Sequence, residues 1–169
     1  MRSQKKLMRT IAVTLATVFM LLMTAATAVA VEPVPLPDFQ LTAADGSVIK
    51  SAALPTQGNW LIVYVQPRNQ FSDNLLKLFK KDQYPALAQH AVIVVSGSTD
   101  DMKAAQTRFP ELALATWYAD TDKSAFGLMK LTGAPMILGI KQHTIAWSLS
   151  GILADVNVAK SILNTWLAG

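Results

Sequence analysis

The sequence predicts an α/β domain: a central mixed sheet flanked by helices, with an N-terminal β-hairpin extension. Three observations predict it. Trp60–Val65 and Ala91–Val95 are uninterrupted apolar runs rich in β-branched residues, the pattern of strands buried on both faces beneath helices. The segments that follow them place apolar residues at helical spacing, with polar residues between. Strand and helix first alternate, then a hairpin and a last helix close the chain, which gives a mixed sheet sandwiched between helices.

Taken in order, residues 1–30 read as a secretory signal peptide. Met1–Thr10 carries Arg2, Lys5, Lys6 and Arg9, no charge interrupts Ile11–Ala30, and Ala28-Val29-Ala30 offers small residues for cleavage after Ala30. An uncleaved anchor is the competing reading, because about 20 apolar residues span a bilayer. Cleavage is favoured by the Ala-Val-Ala site, and Glu32, Pro33, Pro35 and Pro37 stop the apolar helix. The expected location is the periplasm or another extracytoplasmic compartment, with no membrane contact after cleavage. Without a Cys near the end of the leader, a lipid anchor is excluded. Residues 31–37 then form an extended, polyproline-like tether, and residues 38–169 form the domain.

Within the domain, Phe39 and Leu41 alternate with polar residues, Asp45-Gly46 signals a turn, and Val48-Ile49 resumes the apolar pattern of a short hairpin. Pro67 ends the strand at Trp60–Val65. From Ser72, the residues Leu75, Leu76, Phe79, Tyr84 and Leu87 share a helical stripe, with Lys77, Lys80 and Lys81 on the wet face and Ser72 or Asp73 as N-cap. A second helix runs from Thr99 or Asp100 to Arg108. Ala115–Ala119 reads as a strand, Asp122–Leu131 as a helix, Met136–Ile140 and Thr144–Leu149 as a hairpin, and Asp155–Leu167 as a closing amphipathic helix.

Composition removes several function classes. The leader holds four of the fifteen basic residues and no acid, so eleven basic residues face eleven acidic ones in the remainder. That balance lacks the cationic surplus needed to displace counterions from phosphates, and no nucleic-acid partner is expected. The absence of Cys excludes c-type haem attachment, thiolate metal sites and all thiol chemistry, and leaves stability to the core alone. His90 and His143 stand far apart with no nearby acid, so no metal site is expected, and no cofactor.

Leu36-Pro37-Asp38-Phe39-Gln40-Leu41 followed by Asp45-Gly46, the strand and turn into a helix at Trp60–Phe79, and Gly133-Ala134-Pro135-Met136 ahead of a hairpin resemble the redoxin branch of the thioredoxin-like superfamily. Its extracytoplasmic thiol–disulfide proteins are the nearest in layout. Asp120-Thr121-Asp122 before Ser124–Gly127, and Gly151 after the hairpin, fit the same template. The resemblance covers Leu36–Gly169 and implies a thioredoxin-like fold. It also implies that Asn69-Gln70-Phe71-Ser72 occupy the four positions of the family's Cys-x-x-Cys, and that Ala134-Pro135 matches its cis-proline.

Disulfide exchange needs one thiolate to attack sulfur and a second thiol to resolve the mixed disulfide, and neither Asn69 nor Ser72 can do either. Thiol oxidoreductase and thiol peroxidase activities are therefore excluded. The resemblance leaves a peptide-binding groove formed by Gln66–Phe71, Ala134 and Met136, against which stands a Pro135 kept only to shape the turn. Ser72 reads as a helix cap rather than a nucleophile, since no G-x-S-x-G elbow accompanies it. Arg68 reads as a solvated loop charge, with an anion contact as the alternative. Trp60, Trp117 and Trp166 are expected in the core, and Trp147 at an edge as a contact residue.

The resulting expectation is an exported, redox-inactive protein that binds exported or envelope proteins as a chaperone or assembly factor. The alternatives are an enzyme or binding protein for a small anion at Arg68 and Ser72, and a structural subunit of an envelope complex. The oligomeric state is left open.

Overall fold

The computed structural model describes residues 33–55, 57–79, 88–150 and 156–169. The expectations that fall on the leader, on Lys80, Lys81, Tyr84 and Leu87, and on Gly151 and Asp155 lie outside them. No described helix is long and apolar enough to cross a membrane.

The strands are β1 (Val34–Pro35), β2 (Gln40–Thr42), β3 (Val48–Lys50), β4 (Asn59–Val65), β5 (Ala91–Ser96), β6 (Thr116–Asp120), β7 (Met136–Lys141) and β8 (Thr144–Ser150). The described helices are α1 (Gln70–Lys77), α2 (Thr99–Arg108), α3 (Ser124–Leu128) and α4 (Val156–Ala168), with short 3-10 turns at Ser51–Ala53 and Pro110–Leu112. One eight-stranded sheet has the order β1-β8-β7-β4-β5-β6-β2-β3. Its centre, β4-β5-β6, is parallel, and β7, β8 and the β2–β3 hairpin add antiparallel strands at the two sides.

The two-residue period of the strands divides the core. Leu61, Val63, Val65, Ile93, Val95 and Trp117 point to one face, where Leu75 and Leu76 of α1, Met102 and Ala105 of α2 and Leu163 of α4 cover them. Trp60, Ile62, Tyr64, Val92, Val94 and Leu138 point to the other, under Ala125, Met129 and the hairpin residues Phe39 and Leu41. Both faces are dry, as the unbroken apolar runs require. Burying one such leucine contributes about 1.5–3 kcal/mol.

Three expectations need correction. Val34–Pro35 is extended as expected but is not a free tether: it pairs with Ile145 and Thr144 of β8. The helix read over Asp122–Leu131 shrinks to α3, because Lys123 and Lys130 adopt left-handed φ of 59° and 53° and Asp122 Oδ1 ties back the Ser124 amide at 2.9 Å. Trp147 is not a free edge aromatic. It stacks edge-on against Trp166 at 5.5 Å and lies over Gly139, where an added Cβ would sit 2.2 Å from the indole. Glycine at 139 makes that seat.

Candidate functional site

The turn between β4 and α1 is built by three side chains. Arg68 takes a left-handed φ of 56°, which reverses the chain after Pro67. Asn69 then caps α1, its Oδ1 accepting the amides of Phe71 at 2.9 Å and Ser72 at 3.1 Å. Ser72 is therefore not the cap expected from the sequence. It sits one turn inside the helix, 1% exposed, and its Oγ accepts the Gln66 amide at 3.0 Å, fastening α1 to the end of β4. Asn69 wins the cap because it alone has extended backbone angles and a side-chain oxygen aimed at the free amides.

Of the four positions that match the dithiol motif, Asn69 and Ser72 are thus spent on structure. Gln70 pairs with Asn74 at 3.0 Å on the surface, and Phe71 stands 50% exposed. Arg68 is exposed and faces the first turn of α2, where the Asp101 carboxyl is held below the usual range by the Ser98 hydroxyl and amide, and further by Arg68 itself. Two amides that an anion would use are already taken by Asn69.

The predicted groove residues separate into two places. Gln66 and Ala134 come together, with Tyr64, Ser96, Lys123, Phe126 and Gly133, around a pocket of about 160 Å³ beside the turn. The Ala134–Pro135 peptide is cis, and Pro135 is buried. Met136 instead lines a separate groove of about 410 Å³ on the β1 side, with Val34, Leu128 and Ile145. Met136 pairs with Ser150 at the start of β7 and packs on the same sheet face as Tyr64 and Leu138.

Sequence reasoning missed the floor of the small pocket. Tyr64 is fully buried, and its hydroxyl donates to Asp120 Oδ2 at 2.8 Å. Burial pushes that hydroxyl up, so it stays protonated as a donor. Asp120 is also fully buried, and its carboxyl oxygens accept the amides of Ala125 at 3.1 Å and Phe126 at 3.0 Å. The Asp-Thr-Asp ahead of α3 carried part of this signal, whereas Tyr64 was hidden inside an apolar strand. Among the described residues no cluster of three metal-ligating side chains occurs, and His143 Nε2 lies 3.4 Å from the Ala52 carbonyl.

No protein-family model and no curated protein sequence matches the chain. Solved structures do. A secreted Mycobacterium tuberculosis disulfide oxidoreductase homologous to Escherichia coli DsbE is 13% identical and superposes with a TM-score of 0.60, over 75% of this chain and 95% of that one. A candidate thiol:disulfide interchange protein DsbE from Chlorobium tepidum gives 18% identity and 0.66, over 80% and 96%. The exposed lipoprotein thioredoxin of Streptococcus pneumoniae gives 16% and 0.56, over 76% and 99%.

The chain has the thioredoxin-like fold. Its departure from those neighbours is chemical: a thioredoxin-like chain with no Cys has no dithiol, and here an Asn cap and a Ser tether hold the turn. The thioredoxin-like frame is therefore retained around a site that cannot exchange disulfides.

Proposed function

We propose that this chain is an exported, non-catalytic protein-binding factor that takes extended segments of other exported proteins beside the β4–α1 turn. The observation that carries the reading is the opening between Gln66 and Ala134, two strand-end residues with a pocket between them, together with Phe71, which stands exposed in the first turn of α1. Main-chain pairing gives affinity to an extended peptide, and an exposed aromatic such as Phe71 gives it an apolar anchor. The absent thiols make the encounter reversible rather than covalent. Neighbours described as secreted or exposed support the extracytoplasmic setting.

Phe71→Ala and Gln66→Ala should each weaken capture of exported partners about tenfold, the effect of losing about 1.4 kcal/mol at an interface. Both side chains are exposed, so the melting temperature should hold. Equal loss in Lys103→Ala, on the exposed surface of α2, would sink the reading. The small-anion reading draws no support from the turn, whose Phe71 and Ser72 amides are occupied.

A further inference from the structure

The two faces of the sheet are covered unequally. Helices α1, α2 and α4 pack on one, whereas the one described α-helix on the other is α3, only five residues long. Where α3 stops, the groove of about 410 Å³ opens. It is lined by Met136 and Leu138 of β7, Ile145 of β8, Val34 of β1, and Leu128 and Leu131 at the end of α3. Val34 and Leu128 stand half exposed, so this apolar surface is not closed over. The size and the apolar lining are those of small-ligand sites, which run to about 300–1,000 Å³.

One wall of the groove is the end of α3, which closes with two hydrogen bonds. The Leu131 amide donates to the Phe126 carbonyl and the Lys130 amide to the Gly127 carbonyl, each at 3.1 Å, while Lys130 takes a φ of 53°. Glycine is the usual residue at the left-handed position of this closure, because a Cβ is penalised there. Lysine holds it instead, and a residue kept in a disfavoured conformation points to a use for its side chain. Lys130 is the one charged residue lining the groove, and it has no ion-pair partner among the described residues. An apolar trough with one uncompensated positive charge complements a hydrocarbon chain that carries one negative charge. We propose that this groove binds a free single-chain carboxylate of the fatty-acid class, its chain laid over Met136, Leu138 and Ile145 and its head paired with Lys130.

Calorimetric titration of the chain as isolated from cells with octanoate, decanoate and dodecanoate, each below its micelle concentration, tests this. One equivalent should bind, and each added methylene should tighten binding about fourfold, the effect of burying one more CH₂. Dodecanol lacks the charge and should bind about fivefold more weakly than dodecanoate, the upper worth of an exposed ion pair. Lys130→Gly should erase that preference while raising the melting temperature, because the left-handed penalty is relieved. Leu128→Glu, at a half-exposed site, should abolish binding and shift the melting temperature little. The proposal is overturned if dodecanoate does not bind, if Leu128→Glu binds it as tightly as the parent chain, or if Lys130→Gly keeps the carboxylate preference. It is equally overturned if the chain takes up only phosphatidylglycerol vesicles, which would put a bilayer at the groove. A dimer that excludes dodecanoate and is dissociated by Leu128→Glu would put a second copy there and overturn it too.

Discussion

Asn69 and Ser72 are the residues on which the site turns, and both have structural duties. Asn69→Ala should cost about 1 kcal/mol of stability, the usual worth of a helix cap, measured by urea denaturation. Ser72→Ala strands the Gln66 amide and should cost about 1–3 kcal/mol, whereas a catalytic Ser72 would lose activity with little change in stability. Asp45, Asp101 and Asp122 contribute to the acid behaviour, their carboxyls being held below the usual carboxylate range by hydrogen bonds from Ser47, Ser98 and Ser124 respectively. Because their folded values lie below the unfolded one, the stability they contribute is complete above pH 3.8 and is lost as pH falls through the folded values. Asp101→Asn should therefore flatten the acid limb of a plot of denaturation midpoint against pH and lower the plateau above it. An unchanged acid limb would contradict the capping box drawn between Ser98 and Asp101.

At the scale of elements, strands and the closing helix were legible in sequence because their periods are long and clean. β4 and β5 are continuous apolar runs, and α4 keeps Ala159 and Leu163 inward. The hairpin was legible from Asp45-Gly46, where Gly46 takes a φ of 88°. What escaped was decided by tertiary partners. β1 exists only because β8 offers Ile145 and Thr144, and no local pattern announces a partner over a hundred residues away. α3 is short because two lysines enter left-handed conformations, which lysine's propensity disfavours. The Gly139–Trp147 contact likewise joins two strands: Gly139→Ala should displace the indole from Trp166 and cost about 1–3 kcal/mol. A crystal structure of that variant with Trp147 in place would refute the packing described.

Taken whole, the molecule is a thioredoxin-like frame whose core does all the stabilising that disulfides often do in exported domains. The site was half legible: the missing thiols were plain from composition, but the separation of Met136 from Gln66 and Ala134, and the buried Tyr64–Asp120 pair, needed the fold. Tyr64→Phe leaves Asp120 short of one donor in a dry site and should cost about 1–3 kcal/mol, read by thermal or chemical unfolding. The central claim is that the cysteine-free turn still meets other proteins. A photo-crosslinking phenylalanine analogue at position 71, irradiated in living cells and compared with the same probe at position 103, tests it most directly. The account predicts discrete exported proteins joined at 71 and absent at 103. Equal or no crosslinks at the two positions would contradict it.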